Sequence, residues 1–157
     1  MESGFSMQQY KSGLQKLLAE SVDNFFSIFS KKLNFKYELD VDDQMVAFRG
    51  FYNDSPFHMF RFGVLTEYKQ IQISTAFLPQ ELHGNKIILF AIAILHDLGR
   101  QQGYETFAID LVDGFRRKLL SLGAYETDEY DTLQINELVT SNITSLFLEV
   151  NPEFNRK

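Results

Sequence analysis

The segment from Lys69 to Asp110 constrains the fold more than any other part of the chain. It contains an alternating apolar stretch that ends at Leu78, a break with one proline and one glycine, an unbroken apolar run from Ile87, and a second alternating stretch after Gly103. This order predicts a strand, a turn, a long helix and another strand. A strand that turns into a helix leaves unpaired backbone N–H groups at the helix start, and these attract phosphate.

The flanking segments predict the remaining elements. Upstream, apolar spacings of three and four indicate helix over 7–33, which Gly13 and the stretch 21–24 could divide, followed by strands over 35–39, 45–52 and 57–66. Downstream, a helix over 112–122, a short strand over 132–136 and a closing helix over 137–150 follow. Connections this short make the first strands an antiparallel meander. We therefore predict an α+β fold with a mixed, mostly antiparallel sheet and helices on both faces.

Length and composition narrow the class of protein. The chain has 157 residues, which predicts a single domain over 1–157, with frayed ends over 1–6 and 151–157. It contains no cysteine, which excludes disulfides, thiolate metal sites and a cysteine nucleophile. The net charge of −6 argues against a nucleic-acid partner. The basic run Arg116-Arg117-Lys118 is interpreted as one solvated helix face.

Nothing in the sequence predicts a membrane partner. No apolar stretch reaches the roughly 18 residues that a membrane-spanning helix needs. The start, Met1-Glu-Ser-Gly-Phe-Ser, lacks the basic and apolar stretches of a secretory signal. We therefore expect a cytoplasmic location.

Residues 45–136 resemble the GNAT N-acetyltransferase superfamily. The stretch from Leu78 to Ile87 is similar to that family's acetyl-CoA loop, whose pattern is Arg or Gln, two residues, Gly, one residue, then Gly or Ala. Glu81, Gly84 and Lys86 occupy these three places here. Residues 95–110 are similar to the family's central helix end, Gly turn and fifth strand, and residues 115–127 to its helix that leads into a Leu-Gly turn.

The chain also departs from the family's pattern. Only one loop glycine is present, and Leu119 stands where the family often has a tyrosine general acid. The family's first strand has no counterpart before the first predicted helix. Since backbone amides bind pyrophosphate, and a non-glycine residue can take the right-handed helical conformation at a helix start, Lys86 could serve in the loop. The alternatives are a solvated lysine in the first helical turn, or a side chain of Lys86 or Ile88 that fills the pyrophosphate space.

The resemblance implies an N-acyltransferase that uses acetyl-CoA as cosubstrate and no metal. The acceptor would be an amine on a small molecule or a protein, and it would attack the thioester directly. The fourth and fifth strands would separate near Leu78 and Ile109 to admit the pantetheine arm. The implied cosubstrate-binding residues are Phe77, Leu78, His83, Gly84, Asn85, Lys86 and Ile87.

Two residues are candidates for the catalytic proton route. Asp110 follows the predicted fifth strand, beside the expected cleft, and Tyr125 lies late in the chain, as does Tyr130. The alternatives are an N-cap of the following helix for Asp110, and core packing for the two tyrosines.

Other interpretations of the sequence stay open at this point. A GNAT-like scaffold without catalysis could serve as a protein-binding module. Leu95-His-Asp-Leu-Gly-Arg100 resembles the signature of HD-type metal phosphohydrolases, in which His and Asp bind a divalent metal. The alternative for this stretch is a polar helix end that faces solvent.

Phe5 and Phe154, near the two termini, are candidates for a homodimer contact.

Overall fold

The computed structural model describes residues 9–79, 82 and 86–154, which fold as a seven-stranded sheet with four α-helices. The helices are α1 (Gly13–Leu33), α2 (Ile87–Arg100), α3 (Asp113–Ser121) and α4 (Glu137–Val150). The strands are β1 (Lys36–Asp42), β2 (Met45–Tyr52), β3 (Ser55–Leu65), β4 (Gln70–Ala76), β5 (Glu105–Ile109), β6 (Tyr125–Glu126) and β7 (Thr132–Ile135).

The sheet is mixed because of a single parallel pair. The strand order is β1-β2-β3-β4-β5-β7-β6. Strands β4 and β5 run parallel, joined through α2, and the other neighbouring pairs are antiparallel. The predicted α+β class, with a mostly antiparallel sheet, is therefore confirmed. No helix in the described part of the chain is both long and apolar enough to cross a membrane.

An aromatic layer joins the helices to the sheet. From α1, Phe26 meets Phe48 of β2 and Phe60 of β3 edge to face, with ring centroids 5.0 and 5.9 Å apart. The rings of Phe90 on α2 and Phe147 on α4 stack at 4.3 Å, and both lie against Phe25 of α1. Such rings bury large areas and gain from edge-to-face contact. This layer packs α1, α2 and α4 together.

The first helix begins at Gly13, so residues 9–12 lie outside it although the predicted helix included them, and it runs without interruption through 21–24 to Leu33. Ser12 caps the start, where its hydroxyl accepts a hydrogen bond from the Gln15 amide at 3.1 Å. Asn34 ends the helix in the left-handed conformation, and Lys31 and Lys32 lie in the last turn.

Several predicted boundaries need correction. Ser55 and Pro56 begin β3 instead of belonging to the turn, because Asn53 and Asp54 complete a tight two-residue turn with positive φ. The short strand β6 was not predicted. The expected frayed end is also wrong for residues 151–154, since Asn151 is buried and Phe154 stacks on Phe29 at 5.6 Å.

We predict that Phe26→Ala lowers the free energy of unfolding by about 3–5 kcal/mol. The side chain is fully buried and contacts two strands, so truncation leaves a cavity that the sheet cannot close. Urea denaturation measures the change. Tyr130→Ala is the control, because Tyr130 is 92% exposed and its loss should change stability by less than about 0.5 kcal/mol. Equal effects of the two substitutions would contradict this assignment of the core.

Candidate functional site

A cavity of about 450 Å³ opens where β4 ends and α2 begins. Its walls come from three parts of the chain: the end of β4 with the residues after it, the first turn of α2, and the exposed start of α3. Nearly all the wall is apolar, with two lysines. The lining consists of Ala76, Phe77, Leu78, Leu82, Lys86, Ile87, Ile88, Leu89, Val112, Gly114, Phe115 and Lys118.

The two parallel strands stop pairing before they reach this cavity. The β4–β5 register ends at Ile73 opposite Ala108. Next to that point the β3–β4 register shifts, so that Arg61 pairs with Thr75 while Phe62 pairs with Ile73. An extra residue of this kind bends a strand and changes its twist. Beyond Ile73, β4 therefore continues toward the cavity without β5 as its partner.

Lys86 enters α2 in an unexpected conformation. It has φ 62° and ψ 23°, in the left-handed region, instead of the right-handed helical conformation that we predicted. Its side chain makes no capping hydrogen bond. Of the eight described non-glycine residues with positive φ, only Lys69 and Lys86 are neither Asn nor Asp. The left-handed conformation costs such a residue roughly 1–2 kcal/mol, which the buried side chains that follow must offset.

The predicted cosubstrate-binding residues divide into two groups. Phe77, Leu78, Lys86 and Ile87 all line the cavity. Phe77 is 47% exposed, whereas Leu78 and Ile87 are buried. His83, Gly84 and Asn85 lie outside the described residues, as does Glu81.

Helix α3 contributes a wall that the sequence analysis missed. Gly114, Phe115 and Lys118 line the cavity, and Phe115 and Lys118 share a face because they are three residues apart. The sequence shows the three-residue spacing of Phe115 and Lys118, but it does not show that this face of the helix lines a cavity. The interpretation of residues 116–118 as one solvated face is wrong, since these side chains point in different directions.

The neighbours of Lys118 have other roles. Arg116 binds Glu126 at 2.8 Å and Asp131 at 3.0 Å, and so ties α3 to the β6–β7 hairpin. Arg117 is exposed. Among the described residues, no carboxylate lies within 4.0 Å of the ammonium groups of Lys86 and Lys118. Within the described part of the chain, the two positive charges of the cavity therefore have no ion-pair partner.

Neither predicted catalytic residue lines the cavity in the described structure. Asp110 is exposed, has φ 56°, and donates its amide to the carbonyl of Asp131 at 3.1 Å. It is not the N-cap of α3, a place that Val112 takes without a side-chain bond. Tyr125 and Tyr130 are exposed rather than packed in the core.

The HD-like stretch has a different geometry from a metal site. His96 is 6% exposed, whereas Asp97 next to it is exposed to solvent, so the two side chains point apart. Gly99 is buried because α2 approaches β4 closely there: an added Cβ would lie 2.4 Å from Ile71 Cδ1. Among the described residues, no three His, Asp or Glu side chains gather as metal ligands would. The expectation of a polar end facing solvent is wrong for His96 and Gly99.

His96 is a buried histidine at the C-terminal end of α2. Neither ring nitrogen has one among the described residues, and Nε2 lies 4.0 Å from Glu137 Oε2. That carboxylate binds Arg100 at 2.9 Å instead. Burial lowers the pKa of His96 below its ordinary value, against the attraction of Asp97 and Glu137. The imidazole is therefore neutral at pH 7.

Comparison with protein-family models, with curated proteins and with solved structures finds no match to this chain.

We predict that His96→Leu raises the free energy of unfolding by about 1–3 kcal/mol. The substitution removes two buried polar atoms that have no partner, and each such group is costly. Thermal and urea denaturation at pH 7 measure the gain. His58→Leu is the matched control, since His58 is exposed and should change stability by less than about 0.5 kcal/mol. A loss of stability in His96→Leu would show that the ring has a partner in solution.

The lowered pKa of His96 predicts a pH dependence of stability. In the unfolded chain a histidine titrates near pH 6.5, and in the folded protein it titrates lower. Between these two values the unfolded state binds more protons, so the free energy of unfolding falls as the pH drops below about 6.5, by up to about 1.4 kcal/mol per pH unit. Urea denaturation from pH 7.5 to 5 measures this slope. The slope should be shallower in His96→Leu, and identical slopes would refute the assignment.

Proposed function

We propose that this protein is a GNAT-like N-acyltransferase that uses acetyl-CoA as the acyl donor. The observation that carries the proposal is the open cavity at the start of α2, next to the point where β4 and β5 separate. The motif resemblance assigns the cosubstrate to this part of the chain. The expected cytoplasmic location, where acetyl-CoA is at hand, belongs to the same proposal.

The size and lining of the cavity support an extended ligand with an anionic part. Its volume of about 450 Å³ lies within the range of roughly 300–1,000 Å³ typical of ligand sites. The apolar walls suit a pantetheine arm and an acyl group. The start of α2 attracts negative charge, and Lys86 and Lys118 add two cations. A diphosphate-bearing thioester has both an apolar part and an anionic part.

The strand geometry supports the position of the thioester. Because β4 continues beyond Ile73 without pairing to β5, an extended amide-bearing chain can lie between the two strands. The thioester carbonyl would then face the end of β5. Holding an amine and a thioester in this alignment supplies much of the rate enhancement.

The reaction that follows is direct transfer. A neutral acceptor amine attacks the thioester carbonyl, so that a C–N bond forms and the C–S bond breaks. The sulfur leaves as a thiolate and takes up a proton, while the amine nitrogen loses one. Leu119, in the place of the family's tyrosine acid, is fully buried. We therefore assign the proton exchange to solvent beside the exposed Asp110 and Tyr125.

A second function has one observation in its favour. Phe77 and Val112 line the cavity and are 47% and 65% exposed. Exposed apolar side chains around a pocket also suit a partner protein that inserts an apolar side chain. A protein-binding module without catalysis would use the same cavity and would not need the two lysines.

Filling the cavity from the protein side tests the proposal. Gly114 lies in the first turn of α3 and lines the cavity, and an added Cβ there meets nothing within 4 Å. We predict that Gly114→Leu keeps the fold but weakens acetyl-CoA binding at least about tenfold, since the new side chain occupies ligand space. Calorimetry gives the affinity. For the wild type, a hundredfold excess over Kd should add about 2.7 kcal/mol of stability.

Gly13→Leu is the matched control. Gly13 also lies in the first turn of a helix and has no atom within 4 Å of an added Cβ, but it does not line the cavity. Both variants gain similar helix propensity, and only Gly114→Leu should lose affinity. Absence of binding by the wild type at millimolar acetyl-CoA would remove the enzyme proposal and favour the binding module.

A further inference from the structure

We infer that Lys118 determines which form of the cosubstrate binds, by recognising a second anionic group that is separate from the diphosphate. This inference rests on the proposed function and adds a selectivity to it. Acetyl-CoA carries such a group, the 3′-phosphate of its ribose. The protein would thus distinguish acetyl-CoA from its 3′-dephospho form.

Helix α3 carries three consecutive basic residues. Arg116 is engaged by two carboxylates, Glu126 and Asp131, and Arg117 is exposed. Lys118 alone among them lines the cavity, partly buried. Since no carboxylate of the described residues lies within 4.0 Å of its ammonium, the charge is available to a ligand.

The two lysines of the cavity stand on different elements. Lys86 precedes α2, whose N-terminal amides already favour one anionic group. Lys118 lies in the last turn of α3, a helix that forms another wall of the cavity. Lys86 and the N-terminal amides of α2 would suffice to bind a single diphosphate. A cation on a second wall of an apolar cavity therefore indicates a second anionic group on the ligand.

The experiment compares two ligands and four proteins by calorimetry at low salt. Acetyl-CoA and acetyl-3′-dephospho-CoA are titrated into the wild type, Lys118→Met, Lys118→Arg and Arg117→Met. The wild type should bind acetyl-CoA about tenfold more tightly, as expected for one charge-assisted contact. Lys118→Met should lose that difference by weakening acetyl-CoA alone, and Lys118→Arg should retain it. Arg117→Met removes a neighbouring charge and should leave the ratio unchanged.

Each other outcome overturns the inference in a recognisable way. Equal affinity of the wild type for both ligands would overturn the selectivity and leave the proposed function intact. Equal weakening of both ligands in Lys118→Met would place Lys118 on the diphosphate instead. Failure of both ligands to bind the wild type would overturn the inference together with the proposed function. Binding of the dephospho ligand by Lys118→Met also reports that this variant is folded.

Discussion

The parallel pairing of β4 with β5, and its early end, is the constraint on which the rest of the structure depends. A parallel pair requires a crossover, and α2 supplies it by packing on β4, where a Cβ added at Gly99 would lie 2.4 Å from Ile71 Cδ1. Pairing between β4 and β5 stops at Ile73 and Ala108, whereas β4 continues toward the start of α2. A cavity therefore remains between the end of β4 and the start of α2.

The aromatic layer makes this arrangement rigid on one side only. Rings from α1, α2 and α4 interlock with rings of β2 and β3, so the helices cannot slide along the sheet without breaking several contacts. Helix α3 is held differently, by the ion pairs of Arg116 and by a short buried segment around Leu119. One wall of the cavity is therefore held by tightly packed aromatic rings. The other wall, formed by α3, is held by the ion pairs of Arg116 and by the buried segment around Leu119.

Periodicity predicted most of the elements, whereas the site required knowledge of the packing. Spacings of three and four, and alternation within strands, depend on local geometry, so the helices and long strands appear near their predicted bounds. The two-residue strand β6 is too short to show a period, and it exists because β7 pairs with it. His96 could not be distinguished from a surface residue, since its burial depends on how α2 meets the sheet. The position of Lys118 in the cavity wall was hidden for the same reason.

Two features of the cavity then restrict the chemistry that it can support. Leu119, at the position where the resembled family often has a tyrosine general acid, is buried in the core and would supply no proton under the proposed function. Lys86 instead holds a left-handed conformation that lysine rarely adopts, at the mouth of the cavity. A strained backbone conformation persists only where the surrounding structure holds it in place. At Lys86, the buried residues that follow directly in α2 hold the backbone. Under the proposed function, a site with two lysines and no acidic side chain among its described lining residues favours binding and alignment over proton transfer, so the acceptor amine must arrive neutral or lose its proton to solvent.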